Sequence, residues 1–239
     1  MSGKAVQDKD LFDQYADNYS AEIDRSLGSF GTGHDFFTRH KAWLISQLLS
    51  QSGRTAAAMS LLDVGCGVGK IHGLLEGRLG KISGADISAE SIRIARHEHS
   101  ECDYQTYDGQ HLPYADGSFD MAMAICVFHH IPPAQWSGVA AEMLRVVKND
   151  GLILIIEHNP FNPVTRYIIN SCSFDADAVL LSPRRLRKLF DLPIARDVST
   201  RSILNVPPKG DAMRWMDMHL GWLPVGAQYY MTATKCNPA

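Results

Sequence analysis

Cysteine is scarce and unpaired in this chain: five in 239 residues, Cys66, Cys102, Cys126, Cys172 and Cys236, scattered without paired spacing. That excludes a disulfide framework and a thiolate zinc site, and the thiols are expected to stay reduced. Also missing is any apolar run approaching the roughly 18 residues of a membrane span. The opening stretch MSGKAVQDKDLFDQY is charged where a secretory leader is apolar. A cytoplasmic protein without membrane contact is expected. Neither sign of charge dominates: 23 Lys and Arg face 26 Asp and Glu, for a net charge of −3. Such a chain has no broad field to attract nucleic acid or an anionic surface. The densest basic stretch, RRLRK at 184–188, is expected to be the solvated side of an amphipathic helix. No repeat or low-complexity tract interrupts the chain, which excludes solenoids and disordered tails.

What is present is enough apolar residue, 45%, to bury a core. Four short apolar runs, 59–64, 81–87, 119–128 and 151–158, end in polar or glycine residues, as strands buried on both faces do. Between them lie helical patterns. Trp136, Val139, Ala140, Met143, Leu144 and Val147 repeat at helical spacing, with Asn149-Asp150-Gly151 as the stop. Ser88 and Ser182-Pro183 begin two further helices, and Phe37, Leu44, Ile45 and Leu48 form one before the first strand. Segments 193–204 and 228–235 read as two last strands. Alternation with short links predicts an α/β, Rossmann-like, doubly wound sheet of seven strands, mainly parallel with an antiparallel last strand. The whole chain, 1–239, is expected to be one domain. Residues 1–58 would form an N-terminal helical lid, and 159–183 and 205–227 two insertions that cap the substrate side.

The stretch LLDVGCGVGK at 61–70 ends a strand on Asp63 and then places Gly65, Gly67 and Gly69 at alternate positions. Such a turn lets a ligand touch the main chain, and a helix starting near Val68 would offer unpaired N–H groups. Asp86, 21 residues after Gly65 and at the end of the next strand, is placed to grip both hydroxyls of a ribose. A dinucleotide fingerprint needs glycine where this chain has Lys70.

DVGCGVG instead resembles motif I of the class I S-adenosylmethionine-dependent methyltransferases. Residues 107–131, YDGQHLPYADGSFDMAMAICVFHHI, are similar to the next block of that family. The resemblance implies S-adenosylmethionine as cofactor, held by Asp63, Gly65, Cys66, Gly67, Asp86 and Ile87. It also implies Asp108 at the adenine amino group, Gly109 and Gln110 beside the base, and Cys126 and Val127 on the sulfonium side. FDQYADNYS is similar to the family's leading segment, which makes Tyr15 and Tyr19 candidate lid residues. Arg39 stands where some relatives hold the methionine carboxylate.

A sulfonium carries an activated methyl group, so the protein's task is to align a nucleophile and exclude water; proximity alone is worth about 7–11 kcal/mol. Acceptor-side groups belong beyond the carboxyl ends of the central strands. There lie His129 and His130, then Glu157, His158 and Asn159. His130 and His158 are the expected proton acceptors. A metal reading of His129, His130, Glu157 and His158 requires three converging ligands, and no metal is expected. Phe161, Tyr167, Phe174, Trp215, His219 and Trp222 could wall an acceptor pocket, with Arg166 beside an anionic group. The expected activity is O-methylation of a small molecule by a monomer or homodimer. N- or C-methylation, a nicotinamide-dependent oxidoreductase and a non-catalytic S-adenosylmethionine binder are the alternatives.

Overall fold

A computed structural model describes residues 34–51, 53–172, 175, 177–207 and 209–237. The expectations for Tyr15, Tyr19 and Phe174 lie outside them. The elements run α1 (His34–Gln51), β1 (Ser60–Val64), α2 (His72–Leu75), β2 (Lys81–Asp86), α3 (Ala89–Glu98), β3 (Asp103–Thr106) and β4 (Phe119–Ile125). They continue with α4 (Trp136–Val146), β5 (Val147–His158), α5 (Pro163–Ser171), α6 (Pro183–Leu189), β6 (Ala195–Ile203), α7 (Asp211–His219) and β7 (Gln228–Lys235). One seven-stranded sheet has the order β3-β2-β1-β4-β5-β7-β6. Strands β1 to β5 pair in parallel, whereas β7 runs antiparallel to both β5 and β6. The doubly wound α/β sheet with its reversed last strand is therefore as expected.

The central strands are apolar on both faces because helices cover both. Against one face α4 and α6 pack Trp136, Val139, Ala140, Met143, Leu144, Leu186 and Phe190. Against the other lie Leu44, Ile45 and Leu49 of α1 and Leu75 of α2. Among the described residues no helix is long and apolar enough to cross a membrane. Two of the expected caps are present: Ser88 Oγ accepts from the Ser91 N–H, and Ser182 Oγ from the Arg185 N–H. The basic stretch lies on α6, and Arg185 stacks its guanidinium 4.4 Å from the Trp136 ring.

Two boundaries differ from the sequence expectation. After β1 the chain turns through 67–71 and becomes helical only at His72, not near Val68, and α2 lasts four residues. At the other boundary α4 ends at Val146, and β5 begins directly at Val147 instead of Gly151. Asn149-Asp150-Gly151 is thus a kink inside a strand, where Asp150 adopts φ 60° and the pairing with β4 shifts register. Strand β1 has β2 on one side and β4 on the other, so the sheet order reverses beside it. In open α/β sheets that reversal leaves a crevice beyond the strand ends.

Trp136 is fully buried and its Nε1–H donates to the Phe128 carbonyl at 2.8 Å, tying α4 to the turn after β4. Trp136→Ala is expected to lower unfolding free energy by about 3–5 kcal/mol, measured by urea denaturation followed by circular dichroism.

Candidate active site

The glycine turn lies at the carboxyl end of β1. Gly65 has φ 74°, and a Cβ there would come within 2.6 Å of Val127 Cγ2, so the turn after β4 packs directly on its backbone. Gly67, at φ 53°, would point a Cβ into open space, leaving its main chain bare toward the crevice. The turn's N–H groups are not free as expected. Gly65 and Cys66 donate to the Ala85 carbonyl at 2.7 and 3.2 Å, and Gly69 donates to the Cys66 carbonyl at 3.0 Å. Gly67 donates to Asp86 Oδ2 at 2.8 Å. A pyrophosphate is bound by such amides; here these four are already used, which argues against a dinucleotide.

Asp86 is buried, and its Oδ1 also accepts from the Ser88 N–H at 2.9 Å. Burial pushes its pKa up, partly offset by the hydrogen bonds from Ser88 and Gly67. Each carboxylate oxygen keeps lone pairs for a further donor. Ile87 and Gly109 approach each other, since a Cβ on Gly109 would lie 3.4 Å from Ile87 Cγ2. Asp108 is exposed and caps its own loop, accepting from the N–H groups of Gln110 at 2.8 Å and His111 at 2.7 Å. The His111 bond holds its carboxyl below the usual range. Beneath the turn, Asp63 Oδ2 lies 3.1 Å from His72 Nε2, and His72 Nδ1 lies 2.6 Å from the Tyr104 hydroxyl. Asp63 Oδ1 is buried without a hydrogen-bond partner among the described residues. These residues fit an adenosyl amino acid: carboxylates for a sugar, a base and an ammonium, and no anion cradle.

Across the crevice Cys126 adopts φ 56°. Its Sγ lies 3.5 Å from Lys41 Nζ and 3.4 Å from Gln228 Nε2. Burial alone would raise the thiol pKa; Lys41 and His158 outweigh it and bring the value down to about 7. Arg39, by contrast, is 60% exposed and paired with Asp35 at 2.8 Å. Lys41, two residues on, is the α1 cation that reaches the strand ends. Helical spacing around Arg39 did not reveal this, because the contact joins residues far apart in sequence.

At the ends of β4 and β5 lies a buried polar group. Glu157 accepts from the Phe128 N–H at 2.7 Å and from His129 Nδ1 at 2.8 Å, and the His158 N–H is 3.2 Å away. Burial would raise the Glu157 pKa; facing His129 holds it down, to about 2. Burial would lower His129, but Glu157 and Asp175 raise it to about 10. Burial, then the charge on His129, pushes His130 down to about 3, so His130 is a weak proton acceptor. The His129 ring centroid lies 4.1 Å from that of His130 and 5.0 Å from that of His158. Three ligand atoms converge here, in a set other than the four residues considered from sequence. His129, His130 and Asp175 each offer one, all within 4.8 Å of one another. The third comes from the 159–183 insertion, which sequence spacing could not place.

The two insertions are laced together. Asn159 Nδ2 donates to the carbonyls of Pro224 and Gly226 at 3.0 and 2.8 Å, Asn162 Nδ2 to Val225 at 2.7 Å, and Thr165 Oγ1 to Ala227 at 2.8 Å. Buried Asp217 of α7 accepts from the Leu204 and Asn205 N–H groups at 2.9 and 2.7 Å and faces His40 of α1 at 3.4 Å. Phe161, Tyr167, Trp215 and Trp222 stay largely exposed.

Residues 62–155, from the glycine turn to the end of the crevice wall, match a family described as "Methyltransferase domain". The fold as a whole is similar to solved structures of SAM-dependent methyltransferases. A crystal structure from Thermotoga maritima, described as a SAM-dependent methyltransferase and possible histamine N-methyltransferase, is similar with a TM-score of 0.63 at 15% identity, over 94% of this chain and 98% of that one. A SAM-dependent methyltransferase from Archaeoglobus fulgidus has a TM-score of 0.59 at 17% identity, over 85% and 100% of the two chains. Among curated proteins, methyltransferase GfsG of Streptomyces halstedii is 35% identical over 109 residues, 43% of this chain and 38% of that protein. Demethylmenaquinone methyltransferase of Desulfitobacterium hafniense is 27% identical over 163 residues, 64% of this chain and 59% of that protein. The aligned segments thus span less than two thirds of these curated relatives.

Cys126 gives a direct pH readout. Its alkylation by iodoacetamide, followed by mass spectrometry, is expected to rise with pH around a midpoint of about 7. Lys41→Met should move that midpoint upward, because the thiolate loses its nearest cation.

Proposed function

We propose that the protein transfers a methyl group from S-adenosylmethionine to a small hydroxylated acceptor, more specifically to oxygen. The observation that carries this is the glycine turn whose amides are spent on Ala85, Asp86 and Cys66 while carboxylates stand around it. Such a site favours a neutral sugar and base over phosphates. Asp86 would take the ribose hydroxyls, Asp108 the adenine amino group, and Ile87 and Gly109 the faces of the base. Asp63 would accept from the ammonium of the amino-acid part, and Lys41 would meet its carboxylate. Cys126 and Val127 would flank the sulfur. When bound, the cofactor supplies an electrophilic methyl on a cationic sulfur.

The chain's own part is to align the acceptor, exclude water and receive a proton. Of the two histidines expected to do so, His130 is disfavoured as a base by its burial and by the charge on His129, and we assign the role to His158. His158 Nδ1 lies 3.4 Å from Gln228 Nε2, a contact that orients the ring beside Cys126. The exposed aromatic residues of the insertions suit an acceptor with a large apolar part. Two curated relatives are named for aromatic acceptors of that kind, demethylmenaquinone and 2-methyl-6-phytyl-1,4-hydroquinone.

Calorimetry should show binding of S-adenosylmethionine and S-adenosylhomocysteine, and no binding of NADH. Asp86→Ala is expected to weaken S-adenosylmethionine by about tenfold or more, through the lost charge-assisted bonds to ribose; unchanged affinity would remove that assignment. Labelled S-adenosylmethionine incubated with a metabolite extract should yield a labelled methyl ether. A product labelled on carbon or nitrogen would overturn the oxygen assignment.

A further inference from the structure

The group His129, His130 and Asp175 is not needed to hold an adenosyl ligand, and it brings two imidazoles to one carboxylate oxygen. His129 Nε2 and His130 Nε2 both lie 3.5 Å from the same atom, Asp175 Oδ1. That is beyond the 2.7–3.2 Å at which N–H···O bonds cluster. It does match the edge of a tetrahedron: ligand atoms about 2.0–2.2 Å from one zinc-like ion stand roughly 3.3–3.6 Å apart. The remaining His129 nitrogen, Nδ1, is engaged by the buried carboxylate of Glu157 at 2.8 Å. A carboxylate behind a histidine is the support that ligating imidazoles usually have, and it leaves Nε2 facing the other two donors. Two carboxylates also converge on His129 and favour a positive charge there, so an ion bound at Nε2 takes the place of the proton that this nitrogen otherwise carries.

We propose that His129 Nε2, His130 Nε2 and the Asp175 carboxylate form a site for one divalent transition-metal ion of the zinc type, with a fourth position open. Two imidazoles and one carboxylate suit zinc or cobalt and not magnesium. Three protein ligands are the number found where an ion also takes substrate or water. The site bridges the turn after β4 and the first insertion, so the ion also fixes that insertion over the crevice mouth. Resting on the methyl-transfer reading, the open position takes the acceptor's hydroxyl. The ion makes that hydroxyl more acidic and its proton passes to His158. An oxygen lone pair forms the new C–O bond, and the pair of the breaking C–S bond remains on sulfur, which becomes a neutral thioether.

The test uses the full chain, stripped with a chelator and dialysed against Zn2+, Co2+ or Mg2+. Elemental analysis should find about one zinc or cobalt per chain and no magnesium, and the cobalt form should show the visible absorption of a tetrahedral ion. His130→Ala and Asp175→Asn should each weaken zinc by more than about tenfold, with far-ultraviolet circular dichroism unchanged. These two sites are chosen because His129 is tied to the buried carboxylate and its loss could unfold the protein. Absence of zinc and cobalt binding, or binding that both variants leave intact, overturns the proposal. S-adenosylmethionine affinity measured on the stripped protein separates the two readings. Cofactor binding without metal binding overturns only the metal site. Metal binding without cofactor binding supports the site and overturns the methyl-transfer reading. Product formation from a metabolite extract should fall at least tenfold on stripping and return with zinc, while cofactor affinity stays the same.

Discussion

The buried carboxylate of Glu157 is the interaction on which the crevice depends. It ends β5, yet its partners belong to the turn after β4: the Phe128 N–H and the His129 imidazole. Two neighbouring strands are thereby locked at the carboxyl ends, where a parallel sheet would otherwise splay into loops. A charge buried this completely is costly unless it is paired and fully hydrogen-bonded, and here it has both an imidazole and main-chain donors. Trp136 braces the same turn from the helix layer. With the turn fixed, Val127 sits against the bare backbone of Gly65, and the distance across the crevice is set.

From that constraint follows a division of labour. The wall at β1 and β2 carries the carboxylates Asp63 and Asp86 and offers main chain. The wall at β4 and β5 carries sulfur, imidazole and the Glu157 carboxylate. The cation between them is Lys41, brought in by the helix that covers the opposite face of the sheet. The first insertion supplies Asp175.

Much of this was legible in the residues, and the boundary of legibility is physical. Asp63, the glycines and Asp86 were readable because strand-turn-helix geometry is local, and a fixed offset places the next strand's last residue beside the turn. The doubly wound, mainly parallel sheet was readable because short links and alternating patterns leave few ways to wind. The helix start at His72 was not, since the turn's amides are satisfied by Ala85 and Asp86 and the chain had no need to coil at Val68. The kink at Asp150 looked like a helix stop because the same Asn-Asp-Gly chemistry serves both. Lys41, Gln228 and Asp175 were invisible because each acts through a contact with residues distant in sequence. Arg39 had a plausible offset but lies on the solvated face of its helix, beside Asp35.

The asparagine and threonine bonds that run from 159–165 to the carbonyls of 224–227 give the two insertions a common fate. Two segments stitched in this way shift as one plate, so neither is an independent module. Exchanging either half alone with that of a relative would leave Asn159 and Asn162 facing foreign carbonyls. Changes in either segment are therefore expected to arrive as paired replacements, one on each side of the seam.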